Sequence, residues 1–154
     1  MDEQEQQFVC FFWGSQKMCI PIHQVKETLA TRPLTKVFLT PSFVMGIFNL
    51  RGEILALLDL ARLLGLPALN YGPDSKIIIV KINGLKWGVL VDTMTGVRRF
   101  PPECITPAKD LFPRTPLWLA GVVSHEQSSL GILDMASFLE TDACRINAQS
   151  ARGD

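Results

Sequence analysis

Residues 46–59 read GIFNLRGEILALLD, two apolar runs that meet at Arg51, Gly52 and Glu53. A short Arg-Gly link between two such runs is the pattern of a tight antiparallel hairpin. Three further stretches repeat the pattern. FVCFFW and MCIPI flank Gly14-Ser15-Gln16-Lys17, and LAGVVS and SLGILD flank His125-Glu126-Gln127. KIIIVKI and KWGVLV flank Asn83-Gly84, a dipeptide that tolerates the left-handed backbone a two-residue loop needs. Four hairpins in a chain of 154 residues predict an all-β fold.

Helical signals are short. HQVKETLA, LARLLG and DMASFLE are candidates of roughly two turns each, the second with Asp59 as N-cap and Gly65 as its stop. Pro101, Pro102, Pro107, Pro113 and Pro116 make the stretch near 100–116 an extended connection rather than a regular element. A repeat underlies the hairpins, since Gly46 precedes Asp59 by thirteen residues and Gly121 precedes Asp134 by thirteen. The expected domain spans 8–140, as two related subdomains at about 8–66 and 75–140, with 1–7 and 141–154 as peripheral termini. Each comprises a hairpin, a crossing segment, a second hairpin and a short helix. A unit of about 60 residues hides only ~60% of its unfolded surface, so the two are expected to share apolar surface. The crevice where they meet is the favoured place for recognition.

Composition narrows the function. Hydrophobic residues make up 47% of the chain, while Lys+Arg and Asp+Glu number 15 each, a balance with little pull toward nucleic acid or an anionic membrane. The opening MDEQEQQ has neither the basic nor the apolar region of a signal peptide, so a cytoplasmic location is expected. Arg51, Glu53, Asp59 and Arg62 interrupt the longest apolar stretch, and no direct membrane insertion is expected. Cys10, Cys19, Cys104 and Cys144 are scattered without a C-x-x-C, which disfavours a metal site or a disulfide framework. The terminal Arg-Gly-Asp reads as chance.

Catalytic patterns are absent. His23 and His125 neighbour no nucleophile in a strand-turn-helix context, and neither G-x-S-x-G nor a glycine-rich phosphate loop occurs. Asp59 and Asp134 read as caps, leaving no carboxylate pair for acid-base work. No catalytic, cofactor-binding or metal-binding residue is expected. The alternative function for a small β-barrel is nucleic-acid binding, for which Arg98-Arg99-Phe100 is the one local hint.

FVMGIFNLRGEILALLDLARLLGL, with its Asn-Leu-Arg-Gly turn and its Asp-Leu leading to a helix, resembles the CheW-like family of chemotaxis coupling domains. The resemblance extends through FFWGSQKMCIPIHQVKETL, KIIIVKINGLKWGVLVDTMTGV and the Pro-rich return. It implies two small five-stranded, SH3-like β-barrels sharing an apolar core, in a stand-alone adaptor without catalytic activity or cofactor. The implied partners are the regulatory domain of a chemotaxis histidine kinase, the cytoplasmic tip of a methyl-accepting chemoreceptor, and other CheW-like proteins.

The resemblance also implies sites. It places Val25, Gly46, Arg51, Gly88 and Val97 on a receptor face and pairs Arg51 with Glu27. Ile54 and Leu57 on a strand edge, with Leu111 and Phe112 from the Pro-rich loop, are the implied kinase contacts. Thr106 stands where some members of the family carry arginine, and Ala56 where many have proline.

Overall fold

The computed structural model describes residues 5–67, 69–111, 114 and 119–138, and its regular structure is almost all strand. The four expected hairpins form: β1 (Gln6–Trp13) with β2 (Gln16–Pro21), β4 (Val44–Leu50) with β5 (Glu53–Leu58), β6 (Lys76–Ile82) with β7 (Leu85–Val91), and β10 (Leu119–His125) with β11 (Ser128–Leu133). Three of the loops use paired left-handed residues, Arg51-Gly52, Asn83-Gly84 and Glu126-Gln127. Such turns twist in the sense of the strands they join.

Three strands were not anticipated: β3 (Val25–Ala30), β8 (Thr93–Phe100) and β9 (Ile105–Pro107). HQVKETLA is not a helix. Only Ile22–Gln24 form a 3-10 turn, after which burial alternates residue by residue along β3. The period-two pattern of Val25, Glu27 and Leu29 suits an edge strand, and pairing with β6 decides it. LARLLG forms a 3-10 turn over Leu60–Leu64 that ends at left-handed Gly65, but Asp59 does not cap it through its side chain. The buried Asp59 carboxylate instead accepts the Leu69 N–H at 3.0 Å and lies 3.4 Å from Arg62 Nε. Asp134 does behave as a cap, accepting the Ser137 N–H at 3.3 Å at the start of α1 (Met135–Phe138). The Pro-rich stretch is more regular than expected, since it holds β9 between two 3-10 turns.

The strands form a six-stranded sheet, β8-β1-β2-β11-β10-β9, and a five-stranded sheet, β3-β6-β7-β5-β4. These sheets do not follow a division into 8–66 and 75–140. The first hairpin, β1–β2, joins strands of the C-terminal half through parallel pairs Met18–Gly131 and Cys19–Ile132. The hairpin β6–β7 joins strands of the N-terminal half through Leu57–Gly88 and Leu58–Val89. The two repeats have exchanged hairpins.

The expected all-β fold of two small sheet subdomains is present; one sheet has six strands rather than five, and among the described residues neither ladder closes on itself. Each sheet instead curls until chain leaving one edge returns to the other. After β8 the chain pairs β9 with β10. After β3, Thr35 exchanges hydrogen bonds of 2.9 and 2.8 Å with Ile47 on β4. The repeat reaches into these details: β4 shifts register at Val44/Gly46 and β10 at Leu119/Gly121. A Cβ on Gly46 would lie 2.7 Å from the Thr35 oxygen, and one on Gly121 would lie 2.7 Å from that of Thr106. TPSFVMG (40–46) and TPLWLAG (115–121) are the matching sequences, a finer repeat than the glycine-aspartate spacing.

The apolar core is shared, as expected. Val9, Phe11 and Trp13 of β1 pack in one cluster with Phe48, Leu57, Ile78 and Val89 of the other sheet. Phe8 and Cys10, pointing the opposite way, join Phe100, Val123, Leu130 and Ile132. β1 is therefore buried on both faces, and Trp13 Nε1 ties it across the junction by donating to the Leu90 carbonyl at 2.8 Å. Among the described residues no helix is long and apolar enough to cross a membrane.

Residues 1–70 and 71–154, expressed apart, should each lack a cooperative thermal transition by circular dichroism, and mixing should restore one. Each fragment holds a hairpin whose sheet partners lie in the other. Two fragments that melt cooperatively on their own would contradict the exchange.

Candidate functional site

The Asn-Leu-Arg-Gly turn is built from the backbone outward. Leu50 is buried and pairs with Glu53, which leaves Arg51 and Gly52 as the loop, both left-handed. Asn49 Oδ1 accepts the Gly52 N–H at 3.0 Å and so stitches the turn shut. Asn49 was not singled out in the sequence, although an Asn three residues before a turn glycine is the signal for this bond. With Leu50 anchored and Asn49 occupied, Arg51 projects outward.

Arg51 Nη2 donates to Glu27 Oε2 on β3. β3 and β4 are opposite edges of their sheet in strand order, so this contact spans the seam where the curled sheet meets itself. Arg32, just beyond β3, bridges the same seam. Its Nη1 donates to the Asn49 carbonyl at 3.4 Å, and its guanidinium lies 5.9 Å from the Phe48 ring centre. The Arg51 side chain is 68% exposed, and a pair so accessible contributes only about 0–1 kcal/mol to stability. Beside it, Lys86 Nζ lies 2.7 Å from Glu53 Oε1, and this hydrogen bond and the ammonium charge hold the Glu53 carboxyl below the usual carboxylate range.

The other residues expected on a receptor face separate into two groups. Val25 is half-buried at the start of β3, and Val97 is exposed on β8, the edge of the other sheet. Gly46 and Gly88 are buried. A Cβ on Gly88 would meet Ile77 Cγ2 at 2.8 Å and both Leu57 Cδ1 and Phe48 Cε1 at 3.2 Å, so this glycine faces the core. Among the residues expected to contact a kinase, Ile54 and Leu111 are exposed. Leu57 is fully buried on β5, which lies inside its sheet rather than at an edge. Phe112 lies outside the described residues.

A groove of about 620 Å³ runs between the two repeats, lined by Met18, Leu64, Leu66, Leu111, Leu119 and Val122 among others. The expected crevice is thus present, but none of Val25, Gly46, Arg51, Gly88 and Val97 lines it. Cys10 stands opposite Cys19 on the first hairpin, both buried and free. A hydrogen bond from the Cys19 thiol lowers the pKa of Cys10 and raises that of Cys19. Among the described residues no three His, Cys, Asp or Glu side chains gather as a metal site.

A family model described as a CheW-like domain matches residues 7–144. The chain is similar to Protein FrzA of Myxococcus xanthus, 34% identical over 139 residues that cover 89% of this chain and 87% of that protein. It is similar to Chemotaxis protein CheW of Helicobacter pylori, 28% identical over 141 residues covering 92% and 86% of the two. Among solved structures, the scaffolding protein TtCheW from Thermoanaerobacter tengcongensis superposes with a TM-score of 0.81 at 28% identity, covering 91% of this chain and 96% of that one.

Gly46→Ala tests the seam. Its φ of 153° disfavours a side chain, and the Thr35 oxygen in its way is held by the Ile47 N–H. The substitution should cost about 1–3 kcal/mol in chemical denaturation. Gly121→Ala meets a similar carbonyl without the unusual φ and should cost less. Equal or negligible losses would show that the Thr35 bridge does not constrain the edge.

Proposed function

This chain belongs to the CheW-like family of chemotaxis adaptors, and we propose that it couples the cytoplasmic tip of a chemoreceptor to the regulatory domain of a chemotaxis histidine kinase, without catalysis. The observation that carries this reading is the Arg51–Glu27 pair across the seam of the second sheet. A receptor tip is a pair of helices, and a helix seats best on an apolar surface with few, fixed charges. Val25 and Val97, on the edge strands of the two sheets, supply the apolar part. Arg51 supplies the charge, held in one orientation by Glu27. Gly46 and Gly88 act from beneath, by letting strand and core approach closely enough to set the shape.

The kinase contact in this reading uses Ile54 and Leu111, with Phe112 next to Leu111 in sequence. Leu57, fully buried, does not touch the partner in this reading. Other CheW-like proteins could occupy the same surface, and the chain would work in the cytoplasm beneath receptor arrays. The nucleic-acid alternative loses its one hint, because Arg98 lies over the Phe100 ring of its own chain, 5.0 Å from the centre.

Affinity for a receptor-tip fragment, measured for wild type, Arg51→Glu, Glu27→Arg and the double reversal, tests the proposal. Each single change should weaken binding while the melting temperature stays nearly constant. The reversal should recover part of the loss, with a coupling of about 0.5–3 kcal/mol. Strictly additive losses would mean that the pair does not organise the surface, and unchanged affinity in all four would remove Arg51 from the receptor face.

A further inference from the structure

The loop between Thr35 and β4 carries Phe38 and Leu39, whose exposures of 92% and 102% are the largest of any large hydrophobic side chains among the described residues. The loop is nonetheless built. Thr40 Oγ1 donates to the Val37 carbonyl at 3.1 Å, the Val44 N–H donates to the Pro41 carbonyl at 3.0 Å, and the Thr35–Ile47 bridge fixes its root. Leu39 adopts a left-handed φ of 62°, which side chains with a Cβ resist. A leucine that is both strained and fully exposed gains nothing from folding.

Beside this tip lies a cleft of about 270 Å³ lined by Lys36, Val37, Ser42, Val44, Met45 and Arg62. Its lining holds two cations, a hydroxyl and an apolar floor, with no carboxylate. Arg62 does contact Asp59, but Asp59 is fully buried, whereas the Arg62 side chain is 40% exposed. The positive charge therefore faces outward. Two preformed apolar anchors beside a cationic cleft complement a segment with the opposite charge and a similar apolar content.

We propose that the tip and cleft, Lys36 to Met45 with Arg62, form a docking surface for a partner-protein segment that presents apolar residues flanked by carboxylates. Phe38 and Leu39 insert among the apolar residues, and Lys36 and Arg62 pair with the carboxylates. The surface is distinct from the Arg51 seam and from Leu111, and its test does not depend on the receptor reading. The two repeats match here in sequence: VFLTP (37–41) in one half and LFPRTP (111–116) in the other both set an apolar pair before a Thr-Pro.

The test titrates isotope-labelled full-length protein with a synthetic amphipathic helix bearing leucines on one face and glutamates on the other, followed by amide shifts. Saturable shifts should map to Lys36–Met45 and Arg62, and the lysine-for-glutamate version of the peptide should not bind. Leu39→Gly and Lys36→Glu should each weaken binding about tenfold or more, while Leu39→Gly melts no lower than wild type because glycine accepts the φ. Binding that ignores these substitutions, equal binding of the cationic peptide, or no saturable binding would overturn the proposal. Three other results would also overturn it. A lower melting temperature for Leu39→Gly would assign the leucine to the fold. Loop-dependent binding to phosphatidylglycerol vesicles in place of the peptide would assign it to a membrane, and loop-dependent self-association would assign it to a second copy.

Discussion

Two reciprocal hairpin exchanges carry the architecture: β1–β2 pairs with β8 and β11 of the C-terminal half, and β6–β7 pairs with β3 and β5 of the N-terminal half. Each inserts a hairpin from one repeat into the sheet of the other. Each inserted hairpin is paired on both sides, β1–β2 between β8 and β11 and β6–β7 between β3 and β5, and β1 is apolar on both faces. Neither repeat has a complete sheet or a complete core, so the protein stands as one body. The contacts that define it are distant in sequence, which makes loop closure costly before any pairing offsets it.

The seam follows from the same arrangement. With β6–β7 inserted at the middle of the five-stranded sheet, β3 and β4 are left as its edges, and curvature brings them together. The backbone contributes one bridge there, Thr35 with Ile47, and side chains supply the rest: Arg32 to Asn49 and Arg51 to Glu27. An exposed ion pair is a weak clamp but a well-placed one. It holds an exposed guanidinium where β3 meets the β4–β5 turn.

Local features were legible in the sequence and pairings between distant segments were not. Asn83-Gly84 and Arg51-Gly52 announced hairpins because two-residue loops constrain their own residues. The glycine-aspartate spacing announced a repeat. Nothing local says which sheet a hairpin joins, since its outer edges look alike from either side, and the exchange was invisible for that reason. VKETLA resembles helix in sequence because it is too short for its period to outvote helix-forming Lys, Glu and Leu. Gly88 and Leu57, which the family resemblance places on surfaces, meet each other in the core. Asp59 looked like a cap by position, yet its carboxylate serves Leu69. The Arg51–Glu27 contact came from the family resemblance, as neither residue's neighbours reveal that opposite sheet edges converge.

Native-state hydrogen exchange measures the central claim, that reciprocal hairpins make a single cooperative unit, most directly. Slowly exchanging amides of β2 and β11 in one sheet and of β5 and β7 in the other should open with one common free energy, equal to that of global unfolding. If one sheet exchanges through a separate, lower-energy opening while the other stays protected, the two sheets are independent and the account is wrong.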